Sequence, residues 1–433
     1  MTGPRADGAE RGDAARAAYA RYVLAALFCV YILNFLDRQI LAILIEPIKA
    51  ELAVSDTAMG LLTGFAFAVF YTGAGLPLAR IADRGSRTGL IAIGLVVWSA
   101  MTAASGLARS FWQLALARVG VGVGEASFTP ASHSLIADYF PPERRAGAMA
   151  IFAAGASLGT ILGYLLGGLV GQYVGWREAF LLVGLPGLLA APVFFLSVRE
   201  PPRGASERRK VEAGQPTALA VLRHLLTRRS FVYLAASASL HGFSSYGSAT
   251  WIAVFLIRVH GLSLAEAGLV LAVVSGASSF VGQIAGGRLA DRLGRRDPRW
   301  YMFFPAITSV AALPFLLAFL LVPDTKLAVL LSVPGSLLVN VWTGPTYAMA
   351  QGLAPPRMRA VASALVVFLL NLVGMGLGPL AVGALNDLLA PRLGLEAVRY
   401  SLLVAALPHT LAAAFNLLAA RSLRQDLEAA ARA

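Results

Sequence analysis

The sequence predicts an all-α polytopic membrane protein, with twelve transmembrane helices in two six-helix halves and both termini in the cytoplasm. Three observations carry this. First, the 433-residue chain is 58% hydrophobic and only 14% charged, with a mean hydropathy of +0.70, whereas soluble domains carry roughly 25% charged residues. Second, a charged cassette recurs. It reads ARIADRGSR at 79–87 and GRLADRLGRR at 287–296, so that Asp83-Arg84 and Asp291-Arg292 lie 208 residues apart, close to half the chain. Internal repeats of that period within apolar sequence are how secondary transporters are built. Third, basic residues concentrate in alternate loops.

A span needs about 20 apolar residues, and twelve segments qualify. In the first half they lie near 22–45, 57–80, 88–108, 111–137, 146–170 and 177–198. In the second they lie near 230–258, 265–290, 300–322, 326–352, 359–387 and 398–420. The expected organisation is therefore a polar N-terminal tail (1–21), a first bundle (22–198), a basic linker (199–229) with room for a surface helix, a second bundle (230–420) and a C-terminal tail (421–433). The first apolar segment is longer than a signal-peptide core and is followed by many more, so it reads as an anchor. With the N-terminus inside, the inner loops and tails hold 27 Lys and Arg and the outer loops seven. That asymmetry sets the orientation, and with it a multi-pass placement in the inner (cytoplasmic) cell membrane.

The net charge of +13 invites a nucleic-acid partner, but its confinement to alternate loops argues against one. The single cysteine, Cys29, excludes an intramolecular disulfide. No H-E-x-x-H, G-x-S-x-G or Walker pattern is present, so the residues offer no enzyme chemistry and no metal or cofactor site. The expected state is a monomer among membrane lipids.

Four ionisable residues lie well inside spans: Asp37, Arg38, Arg118 and Glu125. A charge at the bilayer centre costs about 2.5–3.5 kcal/mol on insertion scales, so such groups pair or line a wet cavity. At 1.5 Å per residue, Asp37, Arg38 and Arg118 fall at one level, about 10–12 Å below the outer surface, with Glu125 about 10 Å deeper. Arg118 and Glu125 are two turns apart on one face, whereas Asp37 and Arg38 point about 100° apart. The four charges sum to zero, and protonating either carboxylate leaves a net positive site suited to an anion. The four are thus candidate substrate- and proton-binding residues, with the proton as coupling ion. The plainer reading is an ion-pair network tying span 1 to span 4. His133, two turns beyond Glu125, suits a proton relay or simple packing. His224, His241, His260 and His409 form no metal set.

Several of these residues resemble a known family. The two cassettes resemble the loop signature of the major facilitator superfamily, G-x-L-a-D-R-x-G-R, between spans 2 and 3 and between spans 8 and 9. The second copy matches throughout, and the first has Ala79 and Ser86 in place of glycines. Arg118 with Gly122 and Gly124 resembles the span-4 signature. Gly155, Gly159 and Gly163 resemble the glycine-rich span 5, mirrored by Gly374, Gly378-Pro379 and Gly383 in span 11. NFLDRQI at 34–40 with GVGEASFTPASHSLIADYFPPERR at 122–145 resembles the spinster branch, whose animal members move lysolipids.

The resemblance implies alternating access and an amphiphilic anionic cargo, such as a lysolipid or sphingolipid-like molecule, that enters sideways between the halves. The second half holds few polar intramembrane residues, Asn340 and Asn371 being the main exceptions, which also favours an amphiphile. An organic-anion symporter and a multidrug exporter remain as alternatives, as does a non-transporting receptor. In the loops, Asp83 and Asp291 are expected to cap neighbouring helices. Arg84, Arg87, Arg292 and Arg295 are expected to pair across the cytoplasmic seam as a gate or to act as topological anchors.

Overall fold

The computed structural model describes residues 5–203 and 218–432, and within them every regular element is helical. The first half contains α1 (Arg5–Ile43), α2 (Ile45–Leu52), α3 (Asp56–Gly60), α4 (Phe67–Arg84), α5 (Arg87–Gly106), α6 (Phe111–Glu125), α7 (Phe128–Tyr139), α8 (Pro142–Tyr173) and α9 (Trp176–Ser197). A short connecting helix, α10 (Ala218–Leu226), buries Val221 and Leu225. The second half contains α11 (Arg229–Arg258), α12 (Leu264–Leu271), α13 (Ser278–Gly294), α14 (Trp300–Leu321), α15 (Thr325–Val339), α16 (Thr343–Gly352), α17 (Arg359–Leu369), α18 (Gly378–Leu393), α19 (Ala397–Ala406) and α20 (Pro408–Ala431). Nine stretches among the described residues are long and apolar enough to cross a membrane.

Helix formation begins earlier than apolarity. α1 starts at Arg5, inside the expected polar tail, because Ala15, Ala17, Ala18 and Ala20 are strong helix formers whatever the solvent. Several expected single spans are interrupted instead. The fourth breaks at Ala126–Ser127, one residue past Glu125, and the last breaks at Leu407, ahead of Pro408. Wider, π-type turns occupy Leu61–Ala66 and Ala272–Ala277. They lie 211 residues apart, so the repeat marked by the charged cassettes extends to backbone winding. A third occupies Leu370–Leu377. Such turns are concentrated at functional sites.

The halves meet backbone to backbone. A methyl group on Gly64 would lie 2.8 Å from the Met375 carbonyl oxygen, and one on Gly60 would lie 2.5 Å from that of Pro379. On a second seam, a methyl group on Gly268 would lie 2.5 Å from the Tyr164 carbonyl oxygen, and one on Gly168 would lie 2.8 Å from that of Leu264. Only glycine permits such approach.

α11 begins beside the C-terminal helix, where the Ser230 N–H donates to Asp426 at 2.9 Å, so Arg258 at its far end lies at the end of the bundle opposite the termini. There Arg258 joins the halves, donating to Glu46 Oε1 at 2.7 Å and Asp56 Oδ2 at 2.6 Å. Lys49 also holds Asp56. Asp387 on α18 accepts from the Thr57 N–H at 2.7 Å and the Asp56 N–H at 3.1 Å.

At the end carrying the termini, polar knots tie each half to itself. Arg87, fully buried, donates to Glu200 Oε1 at 2.6 Å, to Ser134 Oγ at 2.9 Å and to Asp138. Glu200 also accepts from the Thr88 N–H at 2.9 Å. Burial works to raise the Glu200 carboxyl, but the Thr88 N–H and the Arg87 guanidinium outweigh it and hold the group below the usual range. In the second half Asp297 accepts from Arg299 at 2.9 Å and Arg424 at 2.8 Å. The Arg299 N–H, with the Arg424 and Arg299 guanidiniums, holds Asp297 down to about 2 against the upward push of burial.

Candidate functional site

α1, α5 and α6 bring the four intramembrane charges into two pairs. Arg118 Nη1 donates to Asp37 Oδ1 at 2.9 Å, and the Thr102 hydroxyl of α5 also donates to Asp37. Both members are almost fully buried within the first half. Arg38 Nε donates to Glu125 Oε2 at 2.6 Å. Side chains on a helix lean toward its own N-terminus. Arg38 therefore reaches back along α1 toward the terminal end, where Glu125 closes α6. This lean removes the expected depth mismatch.

The two pairs differ in access. Arg38 retains 18% side-chain exposure against 3% for Arg118. Its guanidinium sits over the rings of Phe35 (5.1 Å), Phe67 (5.1 Å) and Tyr71 (4.9 Å), an aromatic collar that holds a cation by its ring faces. Tyr246 of the second half packs against the same cluster. Glu125 Oε1, Arg118 Nε and both amide atoms of Asn34 are buried without a protein partner. Asn34, one turn before Arg38, escaped the sequence reading because an uncharged amide inside a span carries no distinctive signal. His133 rests edge-on against Phe152 at 5.5 Å, beyond the break that follows Glu125.

Arg87 pairs within the first half rather than across the seam, because the Asp138 and Glu200 carboxylates flank it at the start of α5. Asp291 accepts a hydrogen bond from the Tyr301 hydroxyl at 2.9 Å instead of capping a helix N-terminus. Arg84, Arg292 and Arg295 are exposed. The Asp83 side chain lies outside the described residues.

Beside the charged cluster lies a cavity of about 280 Å³, reached on α1 by Gln39 and on α8 by Thr160 and Tyr164, and otherwise walled by the second half. Its lining corrects the expectation of a second half poor in polar groups. Hydroxyls and amides recur every turn: Ser275, Ser279 and Gln283 on one wall, Ser332, Ser336 and Asn340 on the next. Single serines at helical spacing read as packing residues in sequence and become a polar stripe only when the helix turns them one way. Between them stand Ile252, Leu256, Val270, Leu316, Phe319 and Leu320. No lining residue carries a formal charge. Two large aromatics stand outside this lining: Trp251 is buried and donates to the Pro379 carbonyl at 2.9 Å, and Trp342 stacks on His241.

Two repeated helical bundles, touching through glycines and enclosing buried charges beside a cavity, define a membrane transporter. Residues 27–421 match the sequence profile of the Major Facilitator Superfamily, and the chain belongs to it. The chain is 36% identical over 443 residues to an MFS-type efflux pump of Mycolicibacterium smegmatis, covering 99% of this chain and all of that one. It is 25% identical to the hexuronate transporter of Bacillus subtilis, covering 84% and 87%. Among solved structures, a bacterial homolog of the human lysosomal transporter Spinster, inward-facing and unoccupied, superposes with a TM-score of 0.86 at 31% identity, covering 94% of this chain and 98% of that one. The protein is thus a multi-pass transporter of this superfamily that resembles the spinster branch, and not an enzyme.

Proposed function

We propose that the chain is a proton-coupled secondary transporter of an amphiphilic anion such as a lysolipid, working by alternating access in the cytoplasmic membrane with both termini inside. Arg38 carries this reading: a guanidinium in an aromatic collar, partly accessible, bound to a carboxylate whose second oxygen is unmatched, next to a cavity with apolar walls. When Glu125 gains a proton, its hold on Arg38 weakens, and the freed planar fork takes a phosphate or carboxylate. Asp37 and Arg118, more fully buried and paired with each other, position α1 against α6. The pairing of Arg258 with Glu46 and Asp56 closes the outer end.

The hydroxyl stripes favour a second reading, a polar organic acid such as a sugar acid, carried on the same arginine. A screen with reconstituted protein, with and without a pH gradient, separates the two. Gradient-driven movement of single-chain phosphates supports the amphiphile, and movement of hexuronates alone overturns it. A receptor would show no counterflow of any solute.

A further inference from the structure

His241 on α11 and His409 on α20 lie 168 residues apart in sequence, and their Nδ1 atoms meet at 3.1 Å. Both rings are buried. His241 lies parallel to the Trp342 indole, centroids 5.1 Å apart and planes within 7°, which fixes its orientation. Two ring nitrogens at this distance bond through one proton, so one ring donates and the other accepts. His241 Nε2 is buried without a partner, and a buried orphan is tolerated better as a lone pair than as an N–H. This assigns the tautomers from the bonding. His241 donates its Nδ1–H to His409, and the proton of His409 sits on Nε2. His409 lines the cavity, so that N–H is the donor left for whatever fills it.

A further ionised group is disfavoured there. None of the cavity-lining residues is an acid that could balance an imidazolium. The hydroxyls of Ser244 and Ser245, three and four residues after His241 on the same helix face, also line the cavity and are buried without partners. An unmatched buried polar atom costs about 1–3 kcal/mol, and two such hydroxyls in the cavity that His409 also lines indicate a ligand that matches them. Gln39, the residue after Arg38, lines the same cavity, so α1 carries both the arginine and part of the wall of this cavity.

Resting on the amphiphile reading, we infer that His409, held from behind by His241 and flanked by Ser244 and Ser245, is a second binding subsite that takes an uncharged oxygen of the cargo, a hydroxyl or ester carbonyl, while Arg38 takes its anionic group. The class of cargo is thereby narrowed to anionic amphiphiles that carry hydroxyl or carbonyl groups.

The test uses two probes with the same phosphate and a twelve-carbon chain: lauroyl lysophosphatidic acid, which has an ester carbonyl and a free hydroxyl, and dodecyl phosphate, which has neither. Binding is measured by titration of the protein in nanodiscs. Wild type is expected to prefer the lysophosphatidic acid about tenfold, the worth of one to two hydrogen bonds. His409→Phe should erase that preference while leaving dodecyl phosphate affinity unchanged. Ser245→Ala, the milder variant should His409→Phe not fold, should lower lysophosphatidic acid affinity alone by about threefold. A preference unchanged in both variants, or an equal loss for both probes, overturns the subsite. Arg38→Ala should weaken both probes. If it weakens neither while His409→Phe still erases the preference, the anion clamp fails and the subsite stands. If wild type binds neither probe, the amphiphile reading falls and the subsite with it.

Discussion

In the first half the interior holds full charges in two pairs, Asp37 with Arg118 and Arg38 with Glu125, though Glu125 Oε1, Arg118 Nε and the Asn34 amide keep no partner. In the second half the corresponding interior is neutral. Its polar groups are serine and amide stripes with a histidine pair, several of them unmatched. Two copies of one repeat have therefore diverged in chemistry while keeping their winding. Each intramembrane charge costs several kcal/mol unless compensated, and confining charges to one half keeps every compensating partner within a single rigid bundle. On the proposed function, the proton and the anion would act on one half, and the other half would read the uncharged remainder of the cargo.

The strongest attack on this comparison is Arg38→Ala. It should cut counterflow in proteoliposomes by about a hundredfold, the upper worth of a charged hydrogen bond, with the protein still folded in the membrane. Arg38→Lys should recover only part, because an ammonium lacks the fork. Near-wild-type transport by the alanine variant would mean that the charged half is structural. Next comes Glu125→Gln, which mimics the protonated state. Exchange should persist within about threefold while accumulation driven by a pH gradient disappears, and gradient-driven accumulation in that variant would assign the proton elsewhere.

A smaller effect tests the joint between the halves. Arg258→Gln removes the cation shared by Glu46 and Asp56. In a background lacking Cys29, a cysteine replacing the buried Met59 should then be labelled about tenfold faster, the equivalent of about 1.4 kcal/mol. An unchanged rate would show that glycine contact alone holds that end shut.

The smallest effect is expected at Asp297, whose partner Arg424 is 55% exposed, in contrast to the fully buried Arg87 of the first half. A depressed carboxyl contributes stability above its unfolded value, and this contribution is lost only as pH falls through about 2. Asp297→Asn should therefore shift the melting temperature by little, and by the same amount at pH 8 and pH 5, solvent having screened most of the interaction. A difference that grows between those pH values would refute this.

The sequence makes the long-period features legible. The cassettes at Asp83 and Asp291 and the apolar lengths announce the repeat, and the rarity of intramembrane charge singles out Asp37, Arg38, Arg118 and Glu125. Directions and local winding are harder to read. That Arg38 leans back to Glu125 depends on helix polarity acting on a long side chain, which a count of axial rise misses. The π-type turns at Leu61–Ala66 and Ala272–Ala277 leave no signature, because glycine there serves winding and packing alike. The meeting of His241 with His409 is set by the packing of α11 on α20, and no local pattern links residues so far apart. The serine stripes stay hidden in the sequence because burial of a hydroxyl looks, in one dimension, like burial of an alanine.

The bare glycine contacts between the halves, Gly60 with Pro379, Gly64 with Met375 and Gly268 with Tyr164, have a kinetic corollary. Main-chain surfaces have no rotamers to freeze when they touch and none to release when they part. Each swing of the machine is thus nearly free of entropic toll at its bearing faces. On the proposed alternating-access cycle, the pace would be left to the ionic clasp around Arg258 and to the cargo itself.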